Sequence, residues 1–69
     1  MMYRYYANKN PQSDGVHEVH REGCSYMPSS QNQHYLGMYS NCHDAVEKAS
    51  TYFSIVDGCF YCSRECHTR

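Results

Sequence analysis

"HREGC", residues 20–24, and "GCFYC", residues 58–62, decide how this chain is read. His20 and Cys24 stand four positions apart, and Cys59 and Cys62 three. Two closely spaced Cys/His pairs are the usual way to bring four nitrogen and sulfur ligands around a tetrahedral zinc ion. Gly58, just before the CxxC, suits a knuckle whose backbone amides turn toward the thiolates and stabilise their charge. His20, Cys24, Cys59 and Cys62 are therefore the predicted ligands, and zinc the predicted ion. The long interval between the pairs leaves room for a strand and a helix.

The rest of the composition says why such a staple is needed. Sixty-nine residues are expected to form a single small metal-binding domain, 1–69. A chain this short buries only about 60% of its unfolded surface. Its aliphatic supply is one Leu, one Ile, four Val and three Ala, so eight Tyr and two Phe must carry most of the apolar bulk. Small domains with such cores usually add a metal, disulfides or a partner.

Other uses of the thiols compete with the metal reading. Cys24, Cys42, Cys59, Cys62 and Cys66 could form two bridges and leave one thiol, although an odd count argues against a fully paired framework. Cys42 lies on the apolar stripe of a predicted helix and reads as a small buried hydrophobe. Cys66, four after Cys62, is the main competitor of His20 for the fourth ligand position. His17 is a weaker competitor, because in a strand it faces away from His20. A thioredoxin-like redox role fits poorly, since that motif lies early in its fold and only seven residues follow Cys62 here.

The predicted elements give a small α+β domain with a compact antiparallel sheet. Tyr3–Ala7 and Val16–His20 read as strands joined by the turn-rich segment 8–15, which ends in Asp14-Gly15. Pro28–Gln33 is a polar loop, and His34–Tyr39 a third strand with Gly37 at a bulge. Asn41 caps a helix, with Asp44 three residues on. Cys42, Ala45, Val46, Ala49, Tyr52 and Phe53 recur at helical spacing as one apolar stripe. After the knuckle, Ser63–Thr68 is expected to make a short closing helix.

Taken together, these features resemble the small zinc-binding modules at the N-terminus of Ada-type DNA-repair proteins. The resemblance runs from about His20 to Cys62: a ligand pair at the start, a strand in "YLGMYSN" (35–41), a helix in "CHDAVEKA" (42–49) and the closing CxxC. The spacing within each pair matches. The interval from helix to CxxC is several residues longer here, and the N-terminal hairpin is outside the match. The resemblance implies a zinc site and a similar fold. It does not imply that family's methyl transfer. The methyl-accepting cysteine of the family is His20 in this chain, and imidazole cannot act as a sacrificial thiolate.

Function is narrowed by charge and size. The formal net charge is −1, and Arg4, Lys9, Arg21, Lys48, Arg64 and Arg69 are scattered along the chain. A dedicated nucleic-acid binder would show a basic patch. No paired carboxylates form a recognisable catalytic set, and adjacent Cys66 and His67 point in different directions on a regular element. The leading expectation is a non-enzymatic zinc module, its metal structural, that binds a protein as an adaptor or inhibitor. Tyr3, Tyr5, Tyr6, Tyr26, Tyr35, Tyr39 and Tyr61 are the candidate contact and core aromatics. The alternatives are a nucleic-acid-binding module and a disulfide-stabilised interaction protein without metal. The opening MMYRYYANKN has no apolar signal-peptide core and no run is long enough to span a membrane, so a cytoplasmic location is the default.

Overall fold

The computed structural model of the protein describes residues 1–68. Its elements run β1 (Tyr3–Asn8), β2 (His17–Arg21), a 3-10 turn (Ser30–Asn32), β3 (Gln33–Tyr39), α1 (Cys42–Ala49), β4 (Val56–Gly58) and a second 3-10 turn (Arg64–Cys66). The α+β class is as expected, and the first three strands fall within one residue of their predicted bounds. The predicted closing helix is a single 3-10 turn.

The sheet departs from expectation. It has four strands in the order β3-β1-β2-β4, and it is mixed rather than purely antiparallel. β1 pairs antiparallel with β2 and β3, while β4 runs parallel to β2 with His17↔Val56, Glu18↔Asp57 and Val19↔Gly58 in register. A parallel pair needs a long crossover connection, and β3 with α1 supplies it. At three residues, β4 is too short to display a period-two pattern.

Gly37 occupies the expected bulge. The β1–β3 register slips so that Tyr5 faces Gly37 and Tyr6 faces Tyr35, leaving Leu36 as the extra residue. Gly37 has φ +121°, a conformation that side chains with a Cβ rarely adopt. The slip leaves Leu36 buried.

α1 covers one face of the sheet. The Asn41 side chain accepts from the Asp44 amide at 2.9 Å and donates back to the Asp44 carboxylate at 3.2 Å, a reciprocal cap. Cys42, Ala45 and Ala49 pack against Tyr5, Ala7, Val19 and Leu36, with Tyr3, Tyr39, Val46, Phe53 and Val56 around them. The helix ends at Ala49, earlier than its apolar stripe. Phe53 packs on the core from the following turn, whereas Tyr52 is exposed. Antiparallel partners point to the same side of a sheet, so Ala7 and Val19 lie on the helix side, and Tyr6 and His20 on the other.

Candidate metal centre

The centre forms where the ends of the parallel pair β2 and β4 meet. His20 is the penultimate residue of β2, facing away from α1, and is 1% exposed. Cys24 follows in a turn in which the Cys24 amide donates to the Arg21 carbonyl at 3.1 Å. On the other side, the Cys59 amide continues the β2–β4 ladder by donating to the Val19 carbonyl at 2.9 Å. The chain then turns back, with the Ser63 amide bonded to the Cys59 carbonyl, and carries Cys62 beneath β2.

This topology brings together the four predicted residues. One ligand atom from each of His20, Cys24, Cys59 and Cys62 lies within 4.8 Å of all the others. Cys24 Sγ is 3.9 Å from Cys59 Sγ, and Cys62 Sγ is 3.9 Å from His20 Nδ1. A tetrahedral ion with Zn–S of about 2.3 Å and Zn–N of about 2.0–2.1 Å has S···S edges of about 3.8 Å and S···N edges of about 3.6 Å. The cluster is thus geometrically able to hold a metal ion.

The surrounding polarity suits the same role. The Arg21 amide donates to Cys62 Sγ at 3.3 Å, and the Tyr61 and Cys62 amides turn toward Cys59. These are the amide-to-sulfur contacts expected of a knuckle. Burial nonetheless dominates: it raises the Cys59 thiol and pushes Cys62 up to about 12. Burial also lowers His20, with the Glu18 charge opposing it, so the imidazole is neutral near pH 7, as a ligand must be. Without a cation these thiols stay protonated; a cation reverses that preference.

Of the roles weighed for Cys42 and Cys66, the structure shows the bridged one rather than the core thiol or the fourth ligand. They are joined in a disulfide, with Cα atoms 6.2 Å apart, so Cys42 is not a free core thiol and Cys66 does not replace His20. The first residue of α1 meets the second 3-10 turn there, within bridging range. Exposed His43 lies beside this pair. Such bridges persist chiefly in oxidising surroundings. Among the described residues no helix is long and apolar enough to cross a membrane.

The remaining histidines are engaged elsewhere. His17 stacks on Phe53 at 4.1 Å with its Nδ1 2.9 Å from the Asn8 carbonyl, and His34 packs against Tyr52 and Phe53. His67 donates from Nδ1 to the Gly58 carbonyl at 3.0 Å and lies 3.4 Å from the Asp57 carboxylate.

Two features had no signal in the sequence spacing. Asp57 is buried and accepts from the Thr68 amide at 3.0 Å and hydroxyl at 3.0 Å, tying the C-terminal segment to β4. The two knuckles also join their aromatics. Tyr26 stacks on Tyr61 at 4.0 Å, Phe60 meets Tyr61 edge-on at 5.1 Å, and the Arg64 guanidinium covers Phe60 at 4.6 Å. All three rings remain exposed.

Three of the basic residues scattered along the chain have close partners. Arg4 pairs with Glu22, Arg21 lies over Tyr3, and Arg64 over Phe60. Arg69 lies outside the described residues.

Comparison of the chain with family models, curated proteins and solved structures returned no match. What fold and site define together is a small α+β domain in which one histidine and three cysteines converge in a cluster able to hold a metal.

Proposed function

We propose that this chain is a non-enzymatic zinc module: the metal is structural, held by His20, Cys24, Cys59 and Cys62, and the aromatic face built on the two knuckles engages a protein partner. The observation that carries the reading is the convergence of those four side chains, one ligand atom of each lying within 4.8 Å of the others. Zinc is favoured over other ions by a donor set of three thiolates and an imidazole. Four protein ligands close the coordination sphere and leave no position for a substrate, which favours a structural ion over a catalytic one.

The partner reading draws on Tyr26, Phe60 and Tyr61. Exposed tyrosines, here beside a Phe60 ring covered by Arg64, are of the residue types enriched in protein contact surfaces. Their position on the ligand-bearing turns ties the surface to the metal, because losing the ion would release both turns. The resemblance to Ada-type modules drawn from the sequence implies a metal site but not their chemistry, since His20 stands where that family has the acceptor thiolate. The near-zero net charge and the scatter of basic residues along the sequence argue against nucleic acid.

Pull-down from the native host tests the reading, with wild-type protein, Tyr26→Ser/Tyr61→Ser and metal-stripped protein as baits. We expect a protein retained by the wild type and lost from both other baits, with the double variant still folded and metal-loaded. Equal retention by the folded double variant, or tight DNA binding with a steep salt slope, would overturn it.

A further inference from the structure

His20 has two ring nitrogens, and the structure assigns them different surroundings. Nδ1 faces the thiols, 3.9 Å from Cys62 Sγ. Nε2 points the other way, into the protein. It is fully buried and has no hydrogen-bond partner among the described residues. The nearest ion-pairing group is the Glu18 carboxylate, with Oε1 3.8 Å away and the side chain only 17% exposed. Glu18 precedes His20 by two residues on β2, so both project from the same face of the strand. That face is opposite α1.

A buried ring nitrogen without a partner is destabilising, because an unsatisfied donor or acceptor keeps its full desolvation penalty. A spacing of 3.8 Å is too long for a hydrogen bond, so forming one requires the ring and the carboxylate to approach. Which nitrogen carries the proton decides whether closing helps. With the proton on Nδ1, the ring cannot ligate through that atom, and Nε2 would turn a lone pair toward a carboxylate. With the proton on Nε2, both ends are satisfied: Nδ1 offers its lone pair to the metal and Nε2–H donates to Glu18.

We infer that Glu18 is the positioning residue of the metal centre: it accepts a hydrogen bond from His20 Nε2–H and thereby fixes the ring as an Nδ1 ligand. This rests on the metal reading above. Ligating histidines generally donate their other ring N–H to a carboxylate or carbonyl, which sets the tautomer, orients the ring and raises its basicity. Here the carboxylate comes from the ligand's own strand. Moving ring and carboxylate together requires moving β2.

The test compares wild type, Glu18→Gln and Glu18→Ala for zinc affinity by chelator competition, and for the His20 tautomer by long-range nitrogen–proton NMR of the zinc form. We expect one zinc on the wild type, bound through Nδ1, with a slowly exchanging Nε2 proton. Removing such outer partners typically weakens metal affinity about 10–100-fold, which is the loss expected for Glu18→Ala, together with rapid exchange of that proton. Glu18→Gln keeps an acceptor oxygen and the shape, so it should keep the tautomer and lose less affinity. Ligation through Nε2, or wild-type affinity and proton exchange in Glu18→Ala, would overturn the inference while leaving the zinc reading standing. Absence of zinc from the wild type would defeat both.

Discussion

Replacing Cys42 and Cys66 together by alanine should lower stability substantially and leave the metal in place. The bridge spans 24 residues of sequence, from the first residue of α1 to the 3-10 turn beyond the second knuckle. On the chain-entropy relation, closing a loop of that length in the unfolded state contributes about 3.5 kcal/mol at 25 °C. A domain of this size shifts by about 4–8 °C per kcal/mol, so the melting temperature should fall by roughly 14–28 °C. Thermal unfolding followed by circular dichroism, at one fixed excess of zinc, measures this. Fixing the zinc matters, because a ligand that binds only the folded state raises the apparent midpoint by mass action. A fall of less than about 5 °C would refute the idea that the bridge constrains this chain. Loss of stoichiometric zinc from the double variant would refute the separation of the bridge from the metal centre.

Two further outcomes follow from the centre's surroundings. Burial keeps the Cys59 and Cys62 thiols protonated in the metal-free protein near neutral pH, while His20 is neutral; metal uptake must therefore expel at least two protons. Because the metal-free state holds those protons, raising the pH favours the bound state, by at least about a hundredfold in apparent affinity per unit between about pH 7 and 8. Calorimetry in buffers of different ionisation enthalpy counts them, and release of fewer than two would contradict the buried-thiol picture. Gly58→Ala should cost about 1–3 kcal/mol by overpacking, since its Cβ would lie 2.7 Å from the Ser63 carbonyl oxygen and 2.7 Å from Cys66 Cβ. Denaturant unfolding reads the change, and an unaltered midpoint would mean that the closing turn is not packed tightly on β4.

The parts of this structure that were legible in the sequence are those whose signal is local. The Asn41 cap, the helical recurrence of Cys42, Ala45 and Ala49, and the Asp-Gly turn each depend on a few neighbouring residues. The four candidate ligands were legible because spacing within each pair is local too, and only their meeting is a tertiary fact. β4 was not legible. Three residues carry no period, and its pairing with β2 depends on the crossover through α1, yet that pairing is what sets Cys59 beside His20. The Cys42–Cys66 bridge was hidden for a related reason: a helix stripe explains a buried Cys42 equally well as a thiol, and only the fold of the last turn brings Cys66 to it. Tyr52 and Phe53 continued the stripe beyond the true helix end, where the chain had already begun to turn. Glu18 carried no mark at all, because its significance depends on which way the His20 ring faces.

Native mass spectrometry of protein purified without added metal, paired with circular dichroism before and after a strong chelator, tests the central claim most directly. We expect one zinc per chain and a mass two hydrogens short from the single bridge. Structural zinc in small domains contributes an apparent free energy of about 10–16 kcal/mol, by the order found for zinc-finger peptides, far more than a core this thin can replace. The chelated protein should therefore lose its native spectrum, and zinc should restore it. A verified metal-free protein that keeps the native spectrum would contradict the claim that His20, Cys24, Cys59 and Cys62 form a structural zinc centre.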